Sequence, residues 1–247
     1  MKHLKSALIL GLLTLAPLRA ASESNGHAWF MYFGDHPIKK SRWGIHLEGQ
    51  WRRAELGAVW QQLLLRPAVN FQLNKKVALT GGYGFIETYR YDQFPTAHPF
   101  PEHRFFEQAT ITQRFLKLDW QNRLRLEQRN LGVETKQPDG SFLRTSFRYE
   151  NRFRYMLRTS IPLPFDKKKN YIGIYDEIMY NFGKNVAANV FDQNRAYIAL
   201  GRDVGHQTKV EVGFMEQTIQ QRSGLVYEHN HTIQVAIYSK IPFFGKD

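Results

Sequence analysis

The stretch FLRTSFRYENRFRYMLR, residues 142–158, decides the fold class. All of its charged residues fall at even positions, and most of its odd positions are aromatic or aliphatic. The charged set is Arg144, Arg148, Glu150, Arg152, Arg154 and Arg158, and the apolar set is Leu143, Phe147, Tyr149, Phe153, Tyr155 and Leu157. Because side chains at i and i+2 share a face of an extended chain, this period of two predicts a strand with one charged and one apolar face.

The length of this stretch favours a membrane-spanning strand. Strands of globular sheets usually have ~5–6 residues, whereas ~9–11 tilted residues cross a bilayer. A long amphipathic strand at the edge of a soluble barrel is the alternative. The same alternation recurs between Arg42 and Arg52, where Trp43 and Trp51 stand at the two ends, the positions of interfacial aromatic girdles.

The chain contains eleven segments of this kind, which predict an all-β, transmembrane, up-and-down antiparallel β-barrel. Bacterial single-chain barrels have even strand numbers. We therefore expect about ten strands, with Ala28–Gly34 as an N-terminal plug or partial strand, and twelve strands as the alternative. The sequence leaves open whether the loop Asp92–His103 folds inward as a plug.

The N-terminus predicts export. Residues 1–20 combine a basic start, an apolar run from Ala7 to Leu15 and small residues at Ala20 and Ala21, which is typical of a secretory signal peptide. The apolar run is too short to span a membrane as a helix, and no later run approaches ~18–20 apolar residues. We therefore expect residues 1–20 to be a signal peptide and residues 21–247 to form one outer-membrane barrel domain crossing by strands. A mean hydropathy of −0.48 is compatible with a barrel that has a polar interior.

The charge of the chain is strongly positive, at +12, and remains +9 once Lys2, Lys5 and Arg19 leave with the signal peptide. Nucleic acid is the usual partner of a basic chain, but arginines that alternate with aromatic residues along strands do not form a clustered patch. We therefore expect no nucleic-acid partner. The chain has no cysteine, so it has neither a disulfide framework nor a lipid-anchored N-terminal Cys.

The order of several motifs resembles a known family. The motifs are WFMYFGDH, RWGIHLEGQWR, QQLLLRPAVNFQL, GGYGF, RLRLEQR, RYMLR, a DE pair followed by FDQNRAYIALG, and EHNHTIQVAIYS. Together they resemble the DUF2490 family of Gram-negative outer-membrane proteins over essentially the whole exported chain. The resemblance implies an outer-membrane β-barrel of undefined activity. Its expected partners are membrane lipid and, during biogenesis, the outer-membrane assembly machinery.

The polar faces of the predicted strands line the barrel interior if the apolar faces contact lipid. The residues on the polar faces therefore determine the chemistry of the lumen. The candidate lumen-lining or solute-binding residues are Arg52, Arg66, Arg125, Arg129, Arg148, Glu150, Arg152, Arg154, Glu177 and Arg195. Because a guanidinium can donate two parallel hydrogen bonds to one oxyanion, we predict a narrow channel or solute-binding barrel that favours small anionic solutes. The alternative is a non-conducting structural or interaction barrel, in which arginines and glutamates pair and fill a small interior.

Enzymatic sites have weak support in the sequence. His229 and His231 share a strand face beside Glu228, but the spacing indicates no third metal ligand. Ser223 near His229, and Ser239, are the serines that a membrane-embedded lipid hydrolase would use, although no G-x-S-x-G elbow is present. We therefore expect no catalytic residue, no metal and no cofactor, and retain the hydrolase as a third hypothesis.

Overall fold

In the computed structural model the described residues are 21–91, 98–164 and 169–244. The predicted signal peptide lies outside them. Eleven strands are present in these ranges: β1 (Ala21–Pro37), β2 (Trp43–Ala54), β3 (Val59–Gln72), β4 (Val77–Thr88), β5 (Phe100–Phe115), β6 (Leu118–Lys136), β7 (Phe142–Pro162), β8 (Asn170–Phe182), β9 (Phe191–Gly205), β10 (Thr208–Gln220) and β11 (Val226–Ser239). A 3₁₀ turn, Glu55–Gly57, joins β2 to β3. No helix in these ranges is long and apolar enough to cross a membrane.

The strands close into one barrel. Each strand pairs antiparallel with the next along the chain, and β1 pairs in parallel with β11. An odd number of alternating strands leaves the first and the last pointing the same way, so closure has to be parallel. The predicted all-β barrel is confirmed, and its eleven strands fall between the expected ten and the alternative of twelve.

The segment Ala28–Gly34 is a correction to the sequence-based expectation. It is neither a plug nor a partial strand, because it lies within β1 and pairs on one side with β11 and on the other with β2. Its side chains alternate like those of the other wall strands: Trp29 and Met31 are buried inside, and Phe30 is exposed outside. The expectation of an even number of strands was therefore wrong, because the parallel pair of β1 and β11 closes a barrel with an odd number.

The barrel places its polar residues inside and its apolar residues outside. On β11, Thr232 is fully buried in the interior, while the next residue, Ile233, is 51% exposed on the outer wall. Phe214 and Ile198 continue this outer apolar surface on β10 and β9. The interior also holds one apolar cluster, which consists of Trp29, Met31, Tyr197, Ala199, Met215 and Ala236.

The connections between strands are on average longer at one end of the barrel than at the other. We call these ends the loop end, where β1 begins, and the turn end, where β11 finishes. The loop end has connections 55–58, 89–99, 137–141, 183–190 and 221–225, and the turn end has connections 38–42, 73–76, 116–117, 163–169 and 206–207. The two-residue turns 116–117 and 206–207 have positive φ at both residues, as tight hairpins between twisted strands require.

Candidate functional site

All ten lumen residues predicted from the sequence face the barrel interior. Nine of them line a single internal cavity with a volume of about 1370 Å³, and Glu150 is buried beside it. Arg148 is the most accessible of the ten, with 30% of its side chain exposed near the loop end. The cavity reaches Lys75 and Lys209 at the turn end and Arg222 at the loop end.

Glu127 is the centre of a dense ion-pair cluster in the interior. Its carboxylate is completely buried and accepts hydrogen bonds from Arg152 at 2.7 Å and Arg154 at 2.8 Å. Arg104 and Arg125 lie 3.4 and 3.7 Å from its Oε1. A buried carboxylate of this kind is stable only because several cations replace the water that it has lost.

The cluster extends from Glu127 through arginines that are shared between carboxylates. Arg154 grips Glu177 with two hydrogen bonds of 2.9 and 2.8 Å, and Arg129 grips Glu102 in the same two-pronged way at 2.8 and 3.0 Å. We call this group the carboxylate cluster; it consists of Glu102, Arg104, Glu127, Arg129, Arg152, Arg154, Glu177 and Asp192. It lies on β5 to β9 and contains four of the ten predicted lumen residues, Arg129, Arg152, Arg154 and Glu177.

Three other buried arginines donate hydrogen bonds to glutamines instead. Arg52 donates to Gln50 at 2.8 Å and to Gln62 at 2.5 Å, and Arg125 donates twice to Gln108, at 2.8 and 2.6 Å. Arg195 donates to Gln193 at 3.0 Å. We call Arg52, Arg125 and Arg195 the glutamine-held arginines.

Their positive charges are poorly compensated. Arg125 and Arg195 are 3.7 and 3.8 Å from the nearest carboxylate oxygens, and Arg52 has no carboxylate at ion-pair distance in the described part of the chain. Arg125 Nη1 is buried without a hydrogen bond. A guanidinium held by a neutral amide is oriented but keeps its full charge, so these residues make the lumen locally electropositive.

Two buried aromatic rings support the same region. The guanidiniums of Arg52 and Arg195 lie 3.9 and 5.2 Å from the Trp29 ring, whose Nε1 donates to Gln61 at 2.7 Å. Phe106 has Arg125 at 4.7 Å and Arg66 at 5.4 Å. A ring face attracts a guanidinium without neutralising it. Each ring therefore holds two cations in place.

Sequence reasoning missed these aromatic and glutamine partners. Trp29 belongs to the segment that was expected to be a plug or partial strand, and Phe106 was not singled out. The glutamines did carry a signal: Gln50-x-Arg52 and Gln193-x-Arg195 place both side chains on one strand face. Gln108, in contrast, faces Arg125 only through the pairing of β5 with β6, which a single sequence does not reveal.

The loop end is narrowed by side chains from its connections. Arg222 reaches from the β10–β11 connection to Glu150 on β7 at 2.5 Å, and its Nη2 donates to the Asn185 carbonyl oxygen at 2.8 Å. Tyr91 donates to the buried Glu228 at 2.8 Å. The sequence left open whether the loop Asp92–His103 folds inward as a plug. Residues 92–97 of this loop lie outside the described part of the chain.

The turn end contains aromatic side chains around one ion pair. Arg158 pairs with Glu211, which also accepts hydrogen bonds from Tyr171 at 2.9 Å and Tyr197 at 3.3 Å. Tyr197 stacks on Tyr175 with 4.6 Å between ring centroids. An aromatic collar with basic residues outside it therefore forms this mouth of the cavity.

The residues considered for enzymatic roles lie apart from the lumen cluster. His231 and His229 are on the outer face, with Nδ1 atoms 2.6 and 3.9 Å from Glu216. No group of three metal-ligating side chains suited to a metal ion occurs in residues 21–91, 98–164 and 169–244. The hydroxyl oxygen of Ser223 accepts from the Leu225 backbone, and that of Ser239 from the Ile241 backbone.

The fold and the interior define a class: a closed β-barrel with an arginine-rich, partly ion-paired lumen. The chain belongs to the DUF2490 family of proteins of unknown function, whose family profile matches residues 26–228. It is 26% identical over 188 residues to an uncharacterised protein of Methylorubrum extorquens, an alignment that covers 68% of each chain. No solved structure is significantly similar to it.

Proposed function

We propose that this protein is an outer-membrane β-barrel whose lumen admits and binds small anionic solutes, and that it has no catalytic role. The observation that carries the proposal is the charge of the interior. In the described chain, seven interior carboxylates are shared among eleven arginines, and Arg52 pairs with none of them. An eighth buried carboxylate, Glu228, accepts hydrogen bonds from Tyr91 and Asn230, so the interior arginines still outnumber the interior carboxylates. An excess of fixed positive charge along a narrow lumen favours anions over cations.

The proposed location rests on the outer surface and on the predicted signal peptide. Large apolar side chains are exposed around the outer wall, for example Leu65, Leu200 and Val212. Trp43 lies near the turn end and Trp51 near the loop end of the same strand, both on the outer face. A soluble protein rarely exposes so continuous an apolar surface, whereas a bilayer covers one and places aromatic rings at its two borders.

A second candidate function is a closed barrel that conducts nothing. It is favoured by the carboxylate cluster, because Glu127 gathers guanidiniums from β5, β6 and β7 and occupies part of the interior with paired side chains. In that case the ion pairs serve as the core of the barrel, and any interaction takes place at the loops or at lipid.

The test is single-channel conductance of the refolded barrel in a planar bilayer under a salt gradient. We expect discrete current steps and a reversal potential that shows anion preference. The double variant Arg52→Gln/Arg195→Gln should lose part of that preference, whereas Arg114→Gln, which removes an exposed arginine outside the lumen, should not. Silence from a barrel whose heat-modifiable migration proves that it is folded would overturn conduction and favour the closed barrel.

A further inference from the structure

We propose that Arg52, Arg195 and Trp29 form a binding site for a free tetrahedral oxyanion of the phosphate or sulfate type. This inference rests on the proposed function, because the anion has to enter the lumen. Both arginines and the indole line the internal cavity, and each arginine is held by glutamine. Within residues 21–91, 98–164 and 169–244, neither Arg52 nor Arg195 donates a hydrogen bond to a carboxylate, whereas every arginine of the carboxylate cluster does.

The charge balance at this site calls for an anion. Arg195 acts most strongly on the charge of Arg52 and repels it; Glu48, which attracts it, comes next, ahead of the repulsion from Arg66 and Arg154. Three guanidiniums thus repel Arg52 in a region where burial has removed most of the water. A buried cation without a counter-charge is costly, and a bound anion would remove that cost.

The geometry selects the kind of anion. The Cζ atoms of Arg52 and Arg195 lie 3.9 and 5.2 Å from the centroid of the same indole ring, so both guanidiniums are held beside one ring. A guanidinium offers parallel N–H donors that match two oxygens of one oxyanion. Two guanidiniums beside one ring can donate several directed hydrogen bonds to an anion that has several oxygens. A spherical halide gains from their positive charge but cannot accept a bidentate pair of hydrogen bonds on two separate oxygens.

The choice of glutamine at these positions supports a ligand role. Three other interior arginines have a glutamate two residues earlier, in Glu102-x-Arg104, Glu127-x-Arg129 and Glu150-x-Arg152. At the proposed site the equivalent residues are Gln50 and Gln193. The amide oxygen orients the guanidinium as a carboxylate would, but it leaves the charge available for a ligand.

Trp29 provides a direct readout. It is 1% exposed inside the barrel, whereas Trp43, Trp51 and Trp60 are exposed on the outer wall. The experiment uses the refolded full barrel with those three residues and Trp120 changed to Phe, so that Trp29 is the sole tryptophan and is excited selectively over the tyrosines. Sodium sulfate or sodium phosphate is titrated against sodium chloride at constant ionic strength in a neutral detergent.

We expect saturable fluorescence changes with sulfate and phosphate and none with chloride. Arg52→Gln/Arg195→Gln should weaken binding by at least about tenfold, the effect of losing charge-assisted hydrogen bonds. Gln62→Glu should weaken it similarly, because it gives Arg52 a permanent carboxylate at a position now 2.5 Å away. Arg114→Gln is the matched control and should bind like the parent.

Three results would overturn the site: no saturable response, an unchanged response in both lumen variants, or a response only when phosphatidic acid is added to the micelles. The last would assign the phosphate to lipid headgroups. Calorimetric titration of the unmodified barrel repeats the test if the tryptophan replacements prevent folding. Anion-selective conductance without saturable binding would refute this site and keep the anion-admitting lumen, whereas saturable binding without conductance would keep this site and refute conduction through the barrel.

Discussion

Two sets of arginines in the same lumen differ in what holds them: one set is held by carboxylates, the other by glutamines and aromatic rings. In the carboxylate cluster, Arg154 and Arg129 each donate two hydrogen bonds to a glutamate, which neutralises their positive charge inside the protein. Arg52 and Arg125 have equally short hydrogen bonds, but their acceptors are neutral glutamines. Burial and strand position are similar in both sets. The difference teaches that the partner, and not the arginine, decides between a structural and a ligand-binding role.

The largest expected effect comes from breaking the carboxylate cluster at its centre. Glu127→Gln removes the carboxylate that Arg152 and Arg154 share, and leaves several buried guanidiniums close together. We expect the free energy of unfolding to fall by about 3–5 kcal/mol. Urea titration of the refolded barrel measures it, with Glu107→Gln on the outer face as the control. A loss under about 1 kcal/mol would contradict a structural role for the cluster.

The comparison is sharpest when one arginine of each set is changed to the same residue. Arg154→Gln should lower the free energy of unfolding by about 2–3 kcal/mol, because Glu127 and Glu177 each lose a partner but keep others. Arg52→Gln should change it by at most about 1 kcal/mol, since the lost hydrogen bonds go to neutral acceptors and the removal of a buried charge offsets part of their loss. Equal losses in the two variants, measured in the same urea series, would remove the distinction between the sets.

A glutamine-held arginine should be convertible into the other type. Gln108→Glu places a carboxylate against two N–H groups of Arg125, so we expect a gain of about 1 kcal/mol in stability together with weaker anion preference in the bilayer. Gln128→Glu makes the same change on the outer face beside Glu107, where no gain is expected. A gain in both variants would show that local charge at Arg125 is not the cause.

The smallest effect on stability is expected at the loop end. The Arg222 side chain is 43% exposed, so Arg222→Gln should cost only about 0–1 kcal/mol, as for other exposed ion pairs. It removes the contacts that reach from the β10–β11 connection to Glu150 and Asn185. We therefore expect a higher single-channel conductance with little change in stability. An unchanged conductance would mean that this side chain does not restrict the mouth.

Much of the barrel was predictable because a strand shows its two faces in a local pattern. In residues 142–158 and 42–52 the alternation indicates which face of each strand is charged, and the ten predicted lumen residues line or adjoin the internal cavity, whereas Arg144 near the loop end is exposed. The number of strands was less predictable. β1 has no continuous polar face in the sequence, since its inner residues include Trp29, Met31 and Phe33, and its membership in the wall depends on pairing with both β2 and β11.

The sequence by itself determined which residue types meet in the lumen, because a period of two assigns a face to every residue of a strand without reference to any other strand. Only the tertiary structure decided which of them touch. Cross-strand partners such as Gln108 with Arg125, and Trp29 with Arg52, depend on strand order, register and the parallel closure. Register is a property of pairs of strands, and a shift of one residue would exchange every inner side chain for an outer one. The split between carboxylate-held and glutamine-held arginines is therefore local where the partner stands two residues away, as for Gln50 with Arg52, and depends on the closed barrel where it crosses strands, as for Glu127 with Arg152.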